Sequence, residues 1–144
     1  GAGTEIIRSV HLEDVDSTGR VLIFGVQHHI YTVISVTANA VSLNADNDYI
    51  TMYLVGYDVN AGTTAQPIYI FQQDMSVAET YVWNDKFSFN GTEPVDFTAG
   101  LDSVAKQDAI ADQGTSTAQY LNIAAEHGSD NIDVTCTYLD QNNA

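Results

Sequence analysis

The sequence predicts an all-β chain, a β-sandwich of jelly-roll-like form with one short inserted helix; a β-barrel is the fallback. Three observations predict it. Apolar and polar residues alternate with period two through most of the chain. Clusters of Asn, Asp, Gly, Ser and Thr separate these runs at short intervals. One stretch, 102–113, breaks the alternation toward a helical pattern. A length of 144 residues suits a single domain that buries its own core without staples.

In chain order, 5–10 is a weak strand candidate, and 1–13 as a whole is expected to form an N-terminal arm. Asp16-Ser17-Thr18-Gly19 makes a turn before 21–24, which is apolar on both faces and reads as a central strand. The run 28–37 is rich in β-branched residues and reads as a long strand. After the turn 44–48 comes the clearest alternation, 48–57. There Ile50, Met52 and Leu54 point one way, and Tyr49, Thr51, Tyr53, Val55 and Tyr57 the other.

The polar loop 60–64 leads to a strand at 67–71, and 79–83 and 86–90 follow. In the last of these, Phe87 and Phe89 oppose Lys86, Ser88 and Asn90. Within 102–113, Asp102 is expected to cap the helix and Gly114 to end it. Finally, 119–126 and 131–139 flank His127-Gly128-Ser129-Asp130 and read as a terminal β-hairpin. Leu121, Ile123 and Ala125 are expected on its buried side.

The charge is the most unusual property. Nineteen Asp and Glu stand against Arg8, Arg20, Lys86 and Lys106, a formal net charge of -15. Phosphate backbones demand the opposite sign, so no nucleic acid is expected as a partner. Anionic membrane surfaces are disfavoured for the same reason, and no run approaches the ~18 apolar residues of a membrane span. Residues 1–5 carry neither a basic region nor an apolar run, so no signal peptide is expected at this start. Cys136 is the single cysteine and reads as a small buried hydrophobe on a strand.

No catalytic, cofactor or metal site is expected. His28 and His29 are adjacent, so on a strand they point to opposite faces; His11 and His127 lie far from them in sequence. The acidic runs 13–19 and 46–48 are loosely like calcium loops, but they lack the spaced ligands and the closing Glu. Turn chemistry accounts for them. No Gly-x-Ser-x-Gly elbow and no phosphate loop occurs, so an enzyme is not expected. The candidate site is instead a surface. Tyr49, Tyr53 and Tyr57 form a stripe on one side of a strand, and tyrosine is enriched at interfaces. Cross-strand packing, or a second core face, is the structural alternative.

The order of segments from about 27 to 139 carries a resemblance. His29-Ile30-Tyr31-Thr32-Val33 opens a strand; Ile50-Thr51-Met52-Tyr53-Leu54 and the loop Asn60-Ala61-Gly62 follow. Ile68-Tyr69-Ile70, Gln73-Asp74-Met75 and Glu79-Thr80-Tyr81-Val82-Trp83 come next. This arrangement resembles small β-sandwich structural proteins of tailed-bacteriophage virions. Two departures stand out: Asn90-Gly91-Thr92-Glu93 replaces the usual glycine-aspartate turn, and 98–117 looks like an insertion.

The resemblance implies an oligomeric or multi-copy virion protein, assembled in the host cytoplasm and located on the capsid surface. It would be a decoration or cement protein that stabilises the head, with the major capsid protein or other virion proteins as partners. Two alternatives stay open: a small tail or head-tail component, and a carbohydrate-binding or adhesion module using Trp83 or the tyrosine stripe.

Overall fold

The computed structural model describes residues 4–58, 60–94, 103–105, 107 and 116–142. Among the described residues nine strands succeed one another: β1 (Thr4–Val15), β2 (Arg20–Phe24), β3 (His29–Ser42), β4 (Tyr49–Asp58), β5 (Thr63–Asp74), β6 (Thr80–Trp83), β7 (Phe87–Asn90), β8 (Tyr120–Ala125) and β9 (Asn131–Asn142). They build two antiparallel sheets. Sheet A runs β1-β9-β3, and the far edge of β3 carries β7 along 30–33 and β6 along 36–39. Sheet B runs β2-β8-β4-β5. With β6 and β7 sharing one strand position, this is the order of a jelly roll, two Greek keys wound across two sheets.

The period-two pattern explains why the sheets face each other. Ile50, Met52 and Leu54 of β4 join Leu121 and Ile123 of β8, Val33 and Val36 of β3, and Ile132, Val134 and Cys136 of β9 in one buried cluster. An aromatic chain seals the side where β5 meets β6. Phe71 of β5 lies 5.5 Å from Tyr81 and 5.9 Å from Trp83, and Trp83 meets Phe87 at 5.8 Å.

Several expectations are corrected. β8 and β9 are not a hairpin: β8 pairs with β2 and β4, and β9 with β1 and β3. Both strands bury an apolar face, and the five-residue connection, 126–130, carries the chain across the core so that those faces oppose one another. β2 is not central but an edge of sheet B, which leaves Val21 and Phe24 exposed. β3 begins at His29, because His28 adopts a left-handed conformation (φ 70°) in the preceding turn. β5 is longer than expected and contains Pro67; an edge strand tolerates the missing donor.

The inserted helix expected over 102–113 falls mostly outside the described residues; of the described ones, Val104, Ala105 and Gln107 are helical. The described part shows a single i to i+4 bond, Gln107 N–H to the Ser103 carbonyl at 3.1 Å. The segment expected as an arm pairs from Thr4 onward with β9, as the edge strand β1.

Cys136 is fully buried, and burial pushes its thiol up from 9.0 to about 12. Below pH 9 the thiol is protonated in both the folded and unfolded chains and contributes nothing. Between pH 9 and 12 the unfolded chain releases the proton while the folded one retains it, so stability is lost as pH rises. The loss amounts to about 4 kcal/mol at the upper end. Urea denaturation at pH 8 and pH 11 is expected to show that fall in the natural chain and a clearly smaller one in Cys136→Ala. Equal falls would show that another group governs alkaline stability.

Candidate functional site: the two outer sheet faces

The outer faces of the sheets differ chemically. Sheet A is rich in hydroxyl groups that bond across strands. Thr32 and Ser88 stand 2.8 Å apart, His11 Nδ1 and Thr135 Oγ1 2.7 Å, and Asn39 Nδ2 donates to Thr80 Oγ1 at 2.8 Å. These pairs are satisfied across strands, and Ile7 and Val82 are exposed on the same face.

Sheet B is aromatic. Directly opposed residues share a face, so the register defines rows across all four strands. One row is Phe24, Tyr120, Val55 and Pro67; the next is Val21, Asn122, Tyr53 and Tyr69. Phe24 stacks on Tyr120 with centroids 5.7 Å apart and planes inclined by 13°. Tyr53 meets Tyr69 at 5.5 Å, and its hydroxyl accepts from Asn122 Nδ2 at 3.3 Å. Phe24 is 61% exposed and Tyr69 67%. Apolar and aromatic surface thus lies open at the ends of two adjacent rows, at Phe24, Val21, Pro67 and Tyr69, while Val55 between them is buried.

The structure places Tyr49, Tyr53 and Tyr57 on the outward side of β4, all half-buried. β4 lies between β8 and β5, so the stripe runs through the middle of the face rather than along an edge. Of the three, Tyr53 is brought into the row that ends at Tyr69. Tyr49 stands opposite Asp74, and its N–H donates to Glu126 Oε1 at 3.3 Å, so its end of the stripe is acidic.

No family model matches the sequence, and no curated protein matches it. The chain is similar to a structure of Bacillus endospore appendages, described as a family of disulfide-linked pili. The TM-score is 0.42 with 11% identity, over 100% of this chain and 93% of that one. It is similar to a structure of infectious bursal disease virus, Gx strain, with a TM-score of 0.43 and 8% identity over 96% of this chain and 32% of that one. A viral-particle structure of the same virus gives 0.41 and 8% over 97% and 36%. At these values the likeness carries no argument about what this chain does.

Phe24, Tyr69, Tyr120 and Val21 were missed as members of the face. The signal for Phe24 and Val21 was present, since 21–24 is apolar on both sides. A strand with that pattern at an edge must expose one of them. Tyr69 needed the register of β5 on β4, which a bulge between Met52 and Tyr53 shifts by one residue.

The carboxylates have structural work. Asp140 is buried and accepts from Arg8 Nε at 2.9 Å and from His29 Nδ1 at 2.6 Å, joining β1, β3 and β9. Burial raises the pKa of the nearby Tyr31 and Tyr138 phenols. Asp16 Oδ1 accepts the Thr18 N–H at 2.8 Å, the turn chemistry expected of 13–19. Asp130 accepts the N–H groups of Asn44 and His127, while burial and the Asp130 carboxylate beside it raise the pKa of Asp48. Trp83 is only 8% exposed and belongs to the aromatic seal, so it offers no platform for a sugar.

Proposed function

We propose that this chain is a non-enzymatic structural protein of a virion: a decoration or cement protein that sits in many copies on a tailed-phage head. The outer face of sheet B is the surface by which it seats. One observation carries this: Phe24, Val21, Pro67 and Tyr69, the outer members of two cross-strand rows, lie exposed around the half-buried Tyr53 and Tyr120 on one sheet. Open apolar surface of this kind marks interaction sites, and tyrosine is the residue type that carries binding energy there. A shell repeats its sites, so individually weak contacts add up. The net charge of -15 keeps the free protein soluble and opposes non-specific clustering until it is seated.

Copy number on purified particles tests the reading. Hundreds of copies per particle are expected; six or twelve would instead place the chain in a tail or connector, and absence from particles would overturn the reading. Tyr69→Ser and Phe24→Ser are each expected to weaken attachment about ten-fold or more while leaving the melting temperature near that of the natural chain. The exposed Tyr69 and Phe24 rings also favour a second reading, a carbohydrate-binding face. Glycan binding by the free protein, lost in the same two variants, would support it.

A further inference from the structure

The edges of the sandwich are unequal. β2 has five residues, and β6 and β7 have four each. β5 is long, but Pro67 lacks a donor, Ala65 stands at φ 53°, and the register shift opposite Met52 and Tyr53 bends the strand. Shortness, proline and bulges are the devices that stop an edge from recruiting another strand. β1 has none of them over its first nine residues. Thr4 to Leu12 pair in unbroken succession with β9, from Thr4↔Asn142 to Leu12↔Val134, with no Pro and no Lys. The irregularity comes only afterwards, with Asp14 at φ 57°. Among the described residues β1 pairs with β9 alone. Residues 4–9 are all exposed, Ile7 at 69%.

We propose that β1 is the edge at which two copies of this chain join, antiparallel, so that their A sheets become one continuous sheet. An antiparallel edge is its own complement, because a two-fold axis brings its donors onto its own acceptors. A register centred on Arg8 is the one that pairs all nine regular residues. It sets Glu5 of one copy opposite His11 of the other, Ile6 opposite Val10, and Ile7 opposite Ser9. A carboxylate then meets an imidazole, and an aliphatic pair extends the inner face next to the core. The two Arg8 side chains meet at the axis, each already neutralised by its own Asp140 at 2.9 Å. Centring on Ser9 would instead oppose Glu5 to Glu13, two carboxylates.

Charge also selects the occupant. The chain carries a formal -15, yet within 4–12 the only Asp, Glu, Lys or Arg are Glu5 and Arg8. Those two charges cancel, so a second copy meets little net local repulsion along this stretch. The two bodies still repel as wholes, so salt that screens them tightens the pair. This pairing uses the edge of sheet A and is independent of the face proposed for seating on a shell.

Sedimentation equilibrium of the full chain at about 50 mM and about 500 mM salt is the test. A concentration-dependent dimer, tighter at the higher salt, is expected. His11→Asp, with its fold checked by circular dichroism, is expected to weaken the dimer about ten-fold, because the repulsion with Glu5 occurs twice across the axis. Adding Glu5→Lys to the same chain is expected to restore it. A monomer at both salts overturns the proposal. So does a dimer that survives His11→Asp and is lost in Tyr69→Ser, since that places the contact on sheet B.

Discussion

Gly91→Ala is expected to destabilise the chain by about 3 kcal/mol or more, a large share of the total stability of an ordinary domain. The reason is backbone contact. Gly25 N–H donates to the Gln119 carbonyl at 2.8 Å, Gln119 N–H to the Gly91 carbonyl at 3.0 Å, and Gly91 N–H to the His29 carbonyl at 2.8 Å. The end of β2, the start of β3, the end of β7 and the approach to β8 are tied together at one end of the sandwich. A Cβ on Gly91 would overlap the carbonyl of Val26, and one on Gly25 the carbonyls of Gly91 and Gln119. These neighbours are main chain, so no rotamer change relieves the clash; strands must separate. Gly128 is the control. A Cβ there meets Ser17 Oγ at 3.5 Å, an ordinary contact on an exposed turn, so Gly128→Ala should stay within about 1 kcal/mol of the natural chain. Thermal melts by circular dichroism decide between them. Similar melting temperatures for the two variants would mean that the Gly25–Gly91 contact does not hold the fold.

Gly91 also shows where sequence reasoning reached and where it stopped. Asn90-Gly91 marked the end of a strand, and β7 does end at Asn90. The pattern offered turn geometry as the reason for the glycine. The actual reason is a main-chain approach from Val26, some sixty-five residues earlier in the chain, which no local pattern records. The same division runs through the fold. Which side chains of β4 and β8 are buried was legible, because alternation reports the face directly: Ile50, Met52, Leu54, Leu121 and Ile123 are all in the core. Which strand neighbours which was not. A short turn between β8 and β9 serves a hairpin and a sheet-to-sheet crossing equally well, and the choice depends on β1, β2, β3 and β4 as partners. The site divides likewise. The Tyr49, Tyr53, Tyr57 side of β4 was visible as a stripe, but its continuation into Tyr69, Tyr120 and Phe24 exists only once β5, β8 and β2 are laid beside it.

Trp83→Ala is the second large expected effect, a loss of about 3–5 kcal/mol. Trp83 is the only tryptophan, and it bridges the two sheets where their edges meet. It sits on β6, stacks on Phe71 of β5 with planes inclined by 22°, and meets Phe87 edge-on at 72°. From Phe87 the contact runs to Phe89 at 5.9 Å and on to Tyr31 at 5.3 Å. β6 has only four residues and therefore little hydrogen bonding of its own, so the ring is the main anchor that holds this strand over β5. Truncation would remove the anchor, leave a cavity beside Phe71 and free the edge. Trp83→Phe keeps an aromatic ring in the gap and should recover much of the loss. The measurement also separates two uses of the residue. A sugar platform would lose binding and keep its melting temperature in Trp83→Ala, whereas a seal loses its melting temperature first. An unchanged melt would remove Trp83 from the core and return it to the list of binding residues.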